Sequence, residues 1–133
     1  MKLRTLTLGA LALGFIGAGI NHFVHPRPYL TMMPPWVPNP ETTNLVAGAA
    51  EIAGGVGLLV PQLRRSAGWG LLALLVAVFP ANVQVAQHGW PGTQIPTWAL
   101  WARLPVQPLL MAVVWWAAVK RRESGPAPLT EPQ

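Results

Sequence analysis

The sequence predicts an all-α fold, a four-helix transmembrane bundle, and three observations predict it. First, the 133 residues are 52% hydrophobic and only 10% charged, where ordinary soluble domains carry about 25% charged residues. Nine Lys and Arg and four Asp and Glu are too few to cover the core of a small soluble domain. Second, apolar residues gather in four stretches, 3–24, 43–60, 67–85 and 97–119. Each is close to the roughly 20 residues that cross a hydrocarbon core of about 30 Å as a helix. Third, the basic residues cluster at one set of ends of these stretches.

The first stretch is apolar apart from Arg4, two threonines, Asn21 and His22. Its start, MKLRTLTLGALALGFIGAG, has the basic-then-apolar order of a secretory signal, but the apolar run exceeds a signal core of about 7–15 residues. An uncleaved first helix is expected. The following loop, HPRPYLTMMPPWVPNP, holds six prolines in residues 25–40. Those at 34, 35, 38 and 40 exclude a regular helix and favour extended backbone. Tyr29, Met32, Met33 and Trp36 are interleaved with them, as in an apolar lid folded onto the membrane interface, where aromatic residues commonly anchor.

The second stretch carries only Asn44 and Glu51 as polar groups beyond its first threonine, the third Asn82 and Gln84, and the fourth Arg103 and Gln107. Pro80 is expected to kink the third helix and free a backbone carbonyl near the level of Asn82. Lys2, Arg4, Arg64, Arg65, Lys120, Arg121 and Arg122 fall on one side of the spans, and only Arg27 and Arg103 on the other. The excess of basic residues on the cytoplasmic side of membrane proteins puts both termini in the cytoplasm. The protein is thus expected in the cell (inner) membrane as a multi-pass protein. The basic clusters report topology, not nucleic-acid binding. The transmembrane domain covers residues 1–122, and the proline-rich, polar tail 123–133 is expected to be a disordered cytoplasmic segment.

Depth makes the polar residues informative. Asn21 and His22 lie at the outer end of helix 1, Glu51 near the middle of helix 2, and Asn82 in the outer part of helix 3. Arg103 and Gln107 are one turn apart in the outer half of helix 4. These six converge on one level and form an expected outward-facing polar pocket. Around Glu51 the neighbours one turn away are Ala47, Gly48, Gly54 and Gly55, small residues that let helix backbones approach closely in lipid. Ala10, Gly14, Ala18 and His22 form a comparable stripe on helix 1. An ionised carboxylate facing lipid would cost about 2.5–3.5 kcal/mol on insertion scales. Arg103, the cation at membrane depth, is the expected partner of Glu51.

The motifs AGINHFVHPRPYLTMMPPWVP, AGAAEIAGGVGLLVP followed by RR, LLVAVFPANVQVA and LWARLPVQPLL resemble, in order, those of the DoxX family of small four-helix membrane proteins. The resemblance spans residues 14–119 and picks out Asn21, His22, Pro26, Glu51, Gly54, Gly55, Pro80, Asn82, Arg103 and Gln107. It implies a link to quinone-dependent membrane redox complexes, with a quinone as cofactor and a membrane or extracytoplasmic redox protein as partner. It transfers no catalytic residue. The chain has no cysteine, so its own side chains cannot exchange dithiols and disulfides. His22, His25 and His88 lack the acidic ligands and spacing of a defined metal site, and no metal is predicted. Three functions fit these residues. The chain is an accessory redox subunit with a quinone-binding pocket, a structural subunit locked by Glu51–Arg103, or a small proton-coupled transporter using Glu51.

Overall fold

The computed structural model describes residues 2–121, so the expected disordered tail lies outside the described residues. Within them the chain is all-α. Its helices are α1 (Lys2–Val24), α2 (Pro26–Met32), α3 (Pro40–Leu59), α4 (Arg64–His88) and α5 (Thr97–Val114), and a π-helical turn, Trp115–Val119, continues α5. Lys2–Val24, Arg64–His88 and Thr97–Val119 are long and apolar enough to cross a membrane. The fourth long helix, α3, has 20 residues but is diluted in apolar character by Glu41, Asn44 and Glu51.

Among the described residues there are therefore five α-helices, not the four of a simple bundle. The additional one, α2, begins in the proline-rich loop, because Pro26 stands in its first turn, where the missing N–H has no intrahelical partner to lose. It ends at Met32, just before the Pro34–Pro35 pair. From there to Asn39 the backbone bends without regular structure. Asn39 then takes a left-handed conformation, φ 44°, and Pro40 opens α3 at its first position.

The helices pack in chain order, α1 on α3, α3 on α4, and α4 on α5 and its π turn. The closest approach, α1 to α3, is made by glycine. A Cβ on Gly19 would stand 2.6 Å from the Gly48 carbonyl oxygen, and one on Gly55 would stand 2.9 Å from that of Ala12. Gly54 instead receives the Leu71 side chain of α4. Leu8, Leu11, Phe15, Leu58, Leu71, Leu75 and Val114 form the main apolar core.

Two arginines that mark topology in the sequence also finish helices. Arg4 Nε donates to the Ala117 carbonyl at 2.7 Å and Nη2 to that of Lys120 at 2.9 Å. Arg64 Nε donates to the Leu58 carbonyl at 2.9 Å. Cations at helix C-termini satisfy orphan carbonyls and complement the helix dipole. The Arg4 bonds tie the start of α1 to the end of the π turn, and the Arg64 bond closes the α3–α4 junction on itself. Arg4→Ala is expected to lower stability by about 1 kcal/mol, read as earlier thermal unfolding in detergent, with Arg4→Lys recovering part of the loss.

The outward surface is apolar. Leu13 is 75% and Leu6 71% exposed on α1, and Leu109 is 65% exposed on α5. From Leu45 to Leu59 every exposed residue of α3 is also apolar. Such a surface suits lipid and not water. The chain is a multi-span, largely helical membrane protein.

Candidate functional site

Three polar side chains are buried in the described residues: His22, Asn44 and Gln107. They sit where helices have lost a hydrogen bond to proline. Pro26 has no N–H, so the His22 carbonyl lacks its usual donor four residues on. Asn44 Nδ2 of α3 supplies one, at 3.0 Å. Pro80 likewise deprives the Val76 carbonyl. On the adjoining residue of α4, Gln107 Nε2 donates to the Leu75 carbonyl at 2.8 Å.

Asn44 then fixes the histidine. Its amide nitrogen faces a carbonyl, so its Oδ1 must be the atom that lies 2.6 Å from His22 Nδ1. An amide oxygen only accepts, which places a proton on Nδ1. The other ring nitrogen, Nε2, faces Glu51 Oε2 at 3.3 Å. Were His22 neutral and Glu51 ionised, two acceptors would oppose each other there. The pair is therefore either imidazolium with carboxylate or imidazole with carboxylic acid. Either form carries no net charge, which removes the main cost of an acid at this depth, and the two atoms lie at ion-pair distance without being aligned as a hydrogen bond.

The missed helix α2 closes the other side of the histidine. Tyr29 stacks on the His22 ring, centroids 3.7 Å apart and planes at 19°. Asn21 Nδ2 donates to the Tyr29 hydroxyl at 2.7 Å, and His25 Nδ1 lies 3.0 Å from Asn21 Oδ1. Gly48 leaves room for this arrangement, since a Cβ there would stand 2.7 Å from His22 Cβ.

Arg103 is placed differently from expectation. Glu51's ion-pair contact is His22, while Arg103 Nη1 donates to Gln107 Oε1 at 3.1 Å. Helix phase is the reason: α3 presents Glu51 to α1, on which it packs most extensively, while Arg103 projects from α5, which has no extensive contact with α3. Glu51 and Arg103 do share two cavities. An outer chamber of about 310 Å³ includes His22, Tyr29, Met33, Trp36 and Asn82 in its wall, and a cleft of about 560 Å³ runs between α1 and α5, with Gln107 beside it. Glu51 and Arg103 line both. Glu51 Oε2 is buried without an aligned hydrogen-bond donor.

Five of the six candidate residues, His22, Glu51, Asn82, Arg103 and Gln107, thus line one or both cavities. Asn21 stands behind them and supports Tyr29. Sequence reasoning passed over Asn44 and Tyr29. Asn44 could have been found, because it lies seven residues before Glu51, two turns down the same face, through Gly48. Tyr29 could not, because its place depends on α2.

No curated protein and no solved structure matches the chain. A family model does, over residues 11–118, a range that holds every member of the polar cluster. The chain belongs to the family described as Domain of unknown function (DUF8561).

Proposed function

We propose that the protein is a multi-pass inner-membrane protein with both termini in the cytoplasm and four spans, α3 being the fourth. In this reading it is a non-catalytic or accessory subunit for quinone-dependent redox complexes, and its outward-facing pocket holds a quinone head group. The observation that carries it is the outer chamber: aromatic and methionine walls around a few converging polar groups, the usual make-up of a small-molecule site. The quinone is drawn from the resemblance of the motifs to DoxX proteins. Trp36 and Tyr29 supply flat apolar surface, and Asn82 and Arg103 supply donors for the ring carbonyls.

Extraction of the protein purified in nanodiscs tests this. Wild type is expected to carry quinone close to one per chain, and Glu51→Gln to lose most of it with unchanged helical circular dichroism. Wild-type protein that neither contains nor takes up quinone would rule the reading out.

A second reading, a small proton-coupled transporter, is favoured by one observation. Glu51 is paired at membrane depth with a histidine and not with Arg103, and chains of acidic and histidine side chains at such depth are typical of proton relays. In that case ligand binding releases or takes up a proton in wild type and not in Glu51→Gln.

A further inference from the structure

The cleft between α1 and α5 has an unusual construction. These helices make no extensive contact with each other; α1 packs instead on the π turn at the far end of α5. The bundle is therefore open along one side, and the gap exposes Ala10, Gly14 and Ala18 of α1 to Leu110 and Val113 of α5. The small-residue stripe of α1 is thus a cleft wall, and helix contact is made by a different face through Ala12, Ile16 and Gly19. A Cβ on Gly14 would meet nothing within 4 Å. From Thr7 to Ala18 the wall runs about 16 Å at about 1.5 Å per residue, roughly half of a 30 Å hydrocarbon core.

One end of this apolar cleft is polar. Glu51 Oε2 has no aligned donor, and Arg103 has donors beyond the one given to Gln107. A lipid tail pushed in methyl-first would leave both groups against hydrocarbon, which is costly for unpaired polar atoms. An amphipath lying the other way satisfies them: its head gives a donor to Glu51 and an acceptor to Arg103, and its chain fills the cleft.

We propose that the α1–α5 cleft binds the single apolar chain of a membrane amphipath, which enters sideways from the bilayer and sets a hydrogen-bonding head between Glu51 and Arg103. This rests on the pocket reading above and adds the class of ligand and its route. The head sits where the two cavities meet, so the chamber and the cleft are the two halves of one site.

Binding of phenol and of p-decylphenol to the protein in phosphatidylethanolamine–phosphatidylglycerol nanodiscs tests it. Affinities are expressed per lipid mole fraction, so that partitioning into the bilayer is discounted. Wild type is expected to bind p-decylphenol at least about tenfold tighter than phenol, a difference of about 1.4 kcal/mol. Gly14→Leu, which fills the cleft at an open position, is expected to erase that advantage and leave phenol binding unchanged. Ala10→Leu repeats the test should Gly14→Leu fold poorly. A chain advantage that survives both plugs would overturn the proposal, even if quinone copurifies and depends on Glu51. Cleft-dependent binding of p-decylphenol with which quinone does not compete would uphold it and end the quinone reading.

Discussion

Gly48→Ala is expected to destabilise the bundle by about 1–3 kcal/mol, the usual cost of overpacking, and to abolish ligand binding with it. The added methyl group would lie 2.7 Å from His22 Cβ, 3.0 Å from the Gly19 carbonyl oxygen and 3.1 Å from the Phe23 ring. One of these is backbone and another the root of a buried side chain, so neither can swing away. The strain can be relieved only by separating α1 from α3, which withdraws His22 from Asn44 and Glu51 together. Thermal unfolding by circular dichroism measures the first effect. Gly14→Ala and Gly17→Ala are matched controls, with open space at the new Cβ, and are expected to keep the melting temperature or raise it, alanine being the better helix former. Equal melting temperatures for Gly48→Ala and these controls would contradict the packing account.

Asn44→Leu is expected to be as severe for a different reason. Asn44 makes two bonds to one residue, to the backbone carbonyl and to the ring of His22. The leucine is close in volume, so little packing is lost. Two buried polar groups are left without partners, at about 1–3 kcal/mol for each. The tautomer is released as well. In wild type, nitrogen NMR of the His22 ring should show a proton on Nδ1, and in Asn44→Leu a mixture of tautomers. A variant with wild-type stability and an unchanged ring spectrum would show that Asn44 neither caps the carbonyl nor sets the proton.

Much of this fold is legible in the sequence, because a helix that crosses a bilayer must be long and apolar, as three of these helices are. The expected stretches 3–24, 43–60, 67–85 and 97–119 fall on α1, α3, α4, and α5 with its π turn. Their ends differ by a few residues, since polar groups at the interface, such as Arg64 and His88, continue the helix without being apolar. The helix α2 was hidden by the prolines that follow it. Those at 34, 35, 38 and 40 argued against a helix anywhere in the loop but all lie beyond Met32, while Pro26 and Pro28 sit in a first turn that tolerates them.

The polar level was legible too, for depth can be counted along each helix. Rotation about the helix axis could not be counted. Helix α1 has Gly9, Ala12, Gly17 and Gly19 besides the stripe of Ala10, Gly14 and Ala18, so small residues lie on nearly every side and that stripe does not mark the face that packs on α3. The structure gives Gly19 to α3 and Gly14 to the cleft. For the same reason Glu51 and Arg103 could be assigned to one level but not to one pair. His22 is the nearer partner because α1 packs tightest on α3.

In the proposed site Glu51, beside His22, anchors a membrane-derived ligand at the junction of chamber and cleft. Native mass spectrometry of protein released from nanodiscs tests it most directly, with Glu41→Gln at the exposed start of α3 as the control. Wild type and Glu41→Gln should each retain one bound amphipath per chain, and Glu51→Gln should lose it while keeping its helical content. Loss of the bound molecule from neither variant, or from both alike, would contradict the account.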